Sequence, residues 1–143
     1  MAKKMSWKEC VEQGVITEGI PDNERSGHML KMANTRLELW DKKIEDKYIA
    51  LKVEAYYDII KELIFAHMYK KGFNCTNHLC LIAYLKKNIP DFDYECNKID
   101  ELRQLRNEIS YRGFAVKKDY LERNEPEFRS IIKRLNDEIR KIN

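Results

Sequence analysis

Apolar side chains recur along this chain at helical spacing. Leu30, Ala33, Leu37, Trp40 and Ile44 follow one another at alternating intervals of three and four residues, the spacing that returns a side chain to one face of an α-helix. After a slight break near Asp46, the residues Ile49, Val53, Tyr56, Ile60, Leu63 and His67 continue that alternation, a heptad-like pattern suited to antiparallel packing in a bundle. Gly72 is a natural stop. Thr76 or Asn77 is expected to cap a short fourth helix over about 78–88, whose run from Leu79 to Leu85 is apolar on every face and predicts central burial. The stretch from Asn88 to Asp93 breaks it. Asp93 is expected to cap a fifth helix through about Tyr111, with Gly113 placed to end it. Phe128, Ile131, Ile132, Leu135, Ile139 and Ile142 mark a last helix. Pro126 fits a first helical turn, so that helix is expected from near Asn124, after a separate turn over 119–123. Ahead of all this, residues 6–13 suit two helical turns, 14–21 a loop, and Asp22 an N-cap.

The expected fold is therefore all-α: an antiparallel bundle of five to six helices in one domain, 1–143, with 22–143 as the main bundle and 1–21 as a short N-terminal helix and loop. Composition agrees. At 143 residues and 43% hydrophobic the chain has material for one core, and 5 glycines and 3 prolines are too few for the turns of an all-β domain. The 27 basic and 24 acidic residues leave a formal charge of +3, too small for nucleic-acid binding by bulk electrostatics. Any RNA contact must be local, and nothing marks a DNA sequence reader. No run of 18 apolar residues is present, so no membrane span is expected. The basic N-terminus lacks the apolar core of a signal peptide, and a cytoplasmic address is the expectation. Cys10, Cys75, Cys80 and Cys96 form no CxxC pair. The tight group Cys75, His78 and Cys80 invites a metal reading, but structural zinc wants regularly paired ligands. The four cysteines read better as reduced thiols acting as small apolar residues, with no metal and no cofactor expected.

The chemical anomaly lies in the fifth helix. Its apolar residues are Ile99, Leu102, Leu105 and Ile109, and at about 100° per residue Arg106 points within roughly 45° of the centre of that stripe. An arginine there snorkels, pairs with a carboxylate or lines an anion site. Asn107 and Glu108 sit beside it on more polar faces. On a continuous helix Tyr111 diverges from Arg106 by about 140°, so the two meet only if the helix ends between them or across a dimer interface.

The stretch AYYDIIKELIFAHMYKKGF, then TNHLCLIAYLKKN, then IDELRQLRNEISYRG, resembles a HEPN domain from about Val53 to the C-terminus. The resemblance implies a small bundle with an up-down four-helix core that forms a homodimer. It further implies a metal-independent endoribonuclease of the toxin type, encoded beside a small nucleotidyltransferase antitoxin. The family hallmark is an arginine, a polar residue, a short gap and a histidine. Arg106 matches the arginine and Asn107 the polar residue, while Tyr111 stands where the histidine is expected. These three are the candidate catalytic residues; His78, Arg103 and Arg112 are candidate substrate-binding residues.

The departure at Tyr111 matters physically. Cleaving RNA without a metal requires a proton acceptor for the 2′-hydroxyl, neutralisation of phosphate charge and a proton for the leaving oxygen. Arginine suits the phosphate and histidine the proton transfer. Tyrosine, with an ordinary pKa of about 10, is a poor base at neutral pH but can donate a hydrogen bond or stack on a base. His78 is the best substitute proton carrier, although a histidine near a helix start also serves as a backbone donor. His67 continues an apolar stripe and reads as a core residue, and His28 shows no partner signal. Tyr56, Tyr57, Tyr84 and Tyr94 read as bundle packing, and the lysines and arginines at 70–71 and 129–141 as solvated helix faces.

Three expectations stand side by side: an endoribonuclease, intact or weakened by Tyr111; a non-catalytic module that partners a nucleotidyltransferase, with a tyrosine open to adenylylation; and a plain dimerisation bundle in which Arg106 forms an internal ion pair.

Overall fold

The computed structural model describes residues 4–113 and 115–142. Six α-helices carry most of the described chain: α1 (Trp7–Glu12), α2 (Asn23–Trp40), α3 (Ile49–Lys70), α4 (Leu79–Asn88), α5 (Asp93–Arg112) and α6 (Lys118–Arg140). The fold is an all-α bundle, as the helical spacing predicts.

Local chemistry explains the helix ends. Ser6 Oγ accepts the Glu9 N–H at 3.1 Å while the Glu9 carboxylate accepts the Ser6 N–H at 3.4 Å, a capping box that starts α1. Asp22 accepts the Arg25 N–H at 2.9 Å and opens α2. Asn77 Oδ1 accepts the Leu79 N–H at 2.9 Å at the start of α4. Gly113, at φ 64°, closes α5 in the left-handed conformation that glycine adopts without strain.

Helix α3 is the centre of the bundle and packs against α2, α5 and α6. Its expected stripe, from Ile49 through Val53, Tyr56, Ile60 and Leu63 to His67, is buried throughout, and so are Tyr57, Ile59, Ile64 and Met68. Burial exceeds one stripe because three helices enclose α3. His67 is a satisfied core residue: its Nδ1 lies 2.6 Å from the Tyr84 hydroxyl. Burial pushes the Tyr84 phenol up, so the hydroxyl keeps its proton and pairs with the neutral ring. Burial, aided by the charge on Lys71, lowers His67 to about 4.

Several expectations need correction. The segment 14–21 contains strand β1 (Ile16–Glu18), which pairs antiparallel with β2 (Phe73–Cys75) in the register Ile16↔Cys75 and Glu18↔Phe73. Where the two segments meet, the Gly72 carbonyl accepts the Gly19 N–H at 2.6 Å. A Cβ on Gly72, already at φ +88°, would collide with the Gly19 carbonyl oxygen. Ile44 lies beyond α2, which ends at Trp40, and Asp93 does not cap α5 but is its first helical residue, after Phe92 at the N-cap with no side-chain cap. Helix α6 is continuous from Lys118, and Pro126 lies inside it rather than in its first turn. The ring faces solvent. Leu121 before it and Phe128, Ile131 and Leu135 after it are buried, so one apolar face holds both halves in line despite the missing N–H. The reduced-thiol reading fails for two cysteines. Helices α1 and α4 bring the Cys10 and Cys80 Cα atoms to 5.9 Å, and the pair forms a disulfide. Cys75 and Cys96 are free, and burial pushes the Cys96 thiol up to about 12, which leaves it unreactive at neutral pH. Among the described residues no helix is long and apolar enough to cross a membrane.

Candidate functional site

The off-pattern Arg106 lies where α5 faces α3. Its neighbours Leu102 and Ile109 are buried, and its own side chain is 29% exposed. The guanidinium carbon stands 5.9 Å from the centre of the Tyr57 ring, within reach of a cation–π attraction. One terminal nitrogen is 3.8 Å from Asp58 Oδ1, and the same oxygen is 3.6 Å from Lys61 Nζ. Both distances fit ion pairs and exceed hydrogen bonds. Accordingly Asp58 Oδ1 and Arg106 Nε are buried polar atoms with no hydrogen-bond partner. Such orphans call for an explanation, because each forgoes about 1–3 kcal/mol of solvation or bonding.

One turn earlier on α5, Arg103 is held by Asp100, with Nε at 3.0 Å and the terminal nitrogen at 2.9 Å from Oδ1. Gln104 binds the other oxygen of Asp100 at 3.0 Å. Arg103 and Arg106 both act on Tyr57, whose phenol is raised first by burial and pulled back by these two charges.

His78 completes the group. It sits at the N-cap of α4, edge-on to Phe65 with ring centres 6.1 Å apart. Its pKa is lowered, first by burial of the ring and then by the charges of Lys61, Arg106 and Arg103. His78 is therefore mainly neutral at pH 7 and offers an unprotonated nitrogen within the field of three cations.

The other sequence candidates are placed differently. Asn107 is half-buried beside Arg106. Arg112 is 77% exposed and 3.7 Å from Glu108. Tyr111 is 80% exposed. Helix α5 runs unbroken through Arg112, so within one chain Tyr111 and Arg106 point to different faces. Ser110, next to Tyr111, donates to Glu54 at 3.0 Å and ties this end of α5 to α3.

Asp58 and Lys61 were not singled out by sequence reasoning, and Tyr57 was read only as bundle packing. Their only signal is the i, i+3 spacing of Asp58 and Lys61; nothing in the chain announces that they face Arg106. The tight group of Cys75, His78 and Cys80 makes no metal site: Cys80 is committed to Cys10, and the Cys75 thiol donates to the Asn77 carbonyl at 3.0 Å. No cluster of three or more metal-ligating side chains occurs among the described residues.

Chemically, the arrangement sets three cations against two carboxylates, beside a neutral imidazole and a buried phenol. It can accept an oxyanion and hold a proton acceptor near it. No protein-family model, curated protein or solved structure matches this chain.

Proposed function

We propose that this chain is a HEPN-like, RNA-directed protein in which the Arg106 cluster holds a phosphodiester and cleaves it without a metal. The observation that carries the reading is the unsatisfied state of the cluster. Arg106 Nε and Asp58 Oδ1 are buried without hydrogen bonds, Lys61 lies 3.6 Å from the same Asp58 oxygen, and the charges of Lys61, Arg106 and Arg103 all act on the neutral His78. A phosphate oxygen would give Arg106 a partner, and the planar guanidinium fork suits bidentate bonding to two phosphate oxygens.

In the cleavage step His78 takes the proton of the ribose 2′-hydroxyl. The 2′-oxygen bonds to phosphorus, the bond from phosphorus to the 5′-oxygen breaks, and that oxygen leaves with a proton from water or from Tyr111. Arg106 and Lys61 offset the growing negative charge. Asn107, half-buried next to Arg106, orients the strand. Tyr111 reaches such a site only from a second copy of the chain, so the reading carries with it the homodimer that the resemblance implies.

The test is incubation of the purified protein with single-stranded and structured RNA in EDTA. The expected result is cleavage that falls by about a hundredfold or more in both Arg106→Ala and His78→Ala. No cleavage at any protein concentration, or equal cleavage by Arg106→Ala, removes the catalytic reading.

One observation favours a second reading. The 80% exposure of Tyr111 leaves its hydroxyl open to a modifying enzyme. In that case the chain is a non-catalytic partner of a small nucleotidyltransferase, and Tyr111 is adenylylated. Copurification with such an enzyme, with adenylate on Tyr111 by mass spectrometry and no RNA cleavage, would establish it.

A further inference from the structure

A cleft of about 600 Å³ opens between α1, α4 and α5, with Asp100 and Arg103 among its lining residues. That volume suits a small organic ligand. Its apolar wall consists of Met5, Trp7, Leu79, Ile82 and Ala83. Trp7 is fixed from behind, with the Phe73 ring centre at 5.7 Å and the Tyr84 ring centre at 6.2 Å. The indole is therefore a rigid aromatic wall. The Cys10–Cys80 disulfide staples α1 to α4, so the two walls are joined covalently.

The rim is cationic. Lys4, Lys86 and Lys87 all line the cleft, and Lys86 and Lys87 are exposed. The two carboxylates that share the cleft are already committed. Glu9 caps Ser6 at 3.4 Å, and Asp100 holds Arg103 and Gln104 at 2.9–3.0 Å. The three lysines enter none of the salt bridges among the described residues, while the neighbouring Lys8 pairs with Glu12 at 3.9 Å.

We propose that this cleft binds an aromatic organic anion, with its ring against Trp7, Ile82 and Leu79 and its anionic head among Lys4, Lys86 and Lys87. An apolar floor beside lysines without a counter-charge matches a ligand that is apolar at one end and negative at the other. Lysines, as mobile point charges, take a carboxylate, sulfonate or phosphate head alike. The inference stands on the cleft's own residues and does not require the Arg106 cluster to cleave RNA.

The experiment uses the full chain carrying Trp40→Phe, which leaves Trp7 as the one tryptophan. Anilinonaphthalene sulfonate is titrated while Trp7 quenching and probe fluorescence are followed, with neutral phenylnaphthylamine as the control. The expected result is one saturable site that quenches Trp7. Its affinity falls by about tenfold or more in the Lys86→Glu/Lys87→Glu double variant, whose exposed positions leave the fold intact. Ile82→Trp, which fills the cleft, abolishes the quenching. Naphthoate or adenosine monophosphate should displace the probe, and which does so tells a carboxylate from a phosphate head. Unchanged affinity in the double variant, equal binding of the neutral control, or displacement by inorganic phosphate alone would each overturn the proposal.

Discussion

Neighbouring tyrosines on α3 enter two charged clusters of opposite character. On one side the Tyr56 hydroxyl donates to Glu125 Oε2 at 2.5 Å, and the buried Lys52 donates to the same oxygen at 2.8 Å and to the Lys42 carbonyl at 2.7 Å. Arg129 joins Glu125 at 3.6 Å to Asp41 at 2.6 Å. On the other side Tyr57 meets Arg106, and Asp58 is shared by Arg106 and Lys61 at 3.8 and 3.6 Å. The first cluster is closed: short bonds join α3, α6 and the segment after α2, and its charges are spent on holding the fold. The second is open, with long ion pairs and orphaned buried atoms. Charge density alone does not mark a site; unspent hydrogen-bonding capacity among pre-placed cations does.

The contrast is broken or sharpened by substitution on each side. The largest effect is expected at Lys52. Lys52→Met leaves Glu125 short of its buried partner and frees the Lys42 carbonyl, and should destabilise the fold by about 3–5 kcal/mol in urea denaturation. A loss below about 1 kcal/mol would mean that the closed cluster holds little.

Next comes a proton effect in the core at His67. Its folded pKa, about 4, lies below the unfolded value near 6.5. The unfolded chain therefore binds more protons between those limits. The stabilisation is complete above about pH 6.5 and is lost as pH falls towards 4. From pH 7 to 5 the stability should drop by about 2 kcal/mol from this group, and thermal melts of His67→Phe should show a flatter slope.

On the open side the effects on folding are smaller and those on binding larger. Asp58→Asn removes the carboxylate that Arg106 and Lys61 share, so stability should change by less than about 1 kcal/mol while RNA affinity rises several-fold. Weaker RNA binding in this variant would show that Asp58 orients Arg106 rather than competing with the phosphate. The smallest effect belongs to Tyr111→Phe. Its ring is exposed, so stability should hold within about 0.5 kcal/mol. RNA cleavage by this variant measures how much of the leaving oxygen's proton comes from Tyr111 rather than from water.

Much of this architecture was legible before any coordinates, and the rest was hidden for physical reasons. Helices α2, α3 and α5 show themselves because apolar residues at intervals of three and four repeat over several turns, α4 because its run is apolar on every face, and the ends at Asp22 and Gly113 because those residues suit the backbone geometry there. Strands β1 and β2 have three residues each, too few for an alternation to register, and their partners are more than fifty positions apart. Pro126 suggested a helix start, but the buried face shared by Leu121 and Phe128 outweighed the missing N–H. The Cys10–Cys80 bond has no spacing rule to reveal it; only the packing of α1 on α4 brings the two together. Arg106 was legible because it interrupts the apolar stripe of its own helix. Its partners Tyr57, Asp58 and Lys61 were not, since a helix surrounded by three others conceals in sequence which neighbour each side chain meets.

The most direct measurement is the salt dependence of binding to a single-stranded RNA oligonucleotide made uncleavable by 2′-methoxy groups. Wild-type protein should bind with an affinity that falls as salt rises. Arg106→Ala should bind more weakly, with a slope of log affinity against log salt shallower by about 0.7, the loss of one phosphate contact. Lys86→Glu, at an exposed position in the separate cleft, should leave that slope within about half of this change. Equal affinity and equal slope for wild type and Arg106→Ala would contradict the assignment of the open cluster to a phosphodiester.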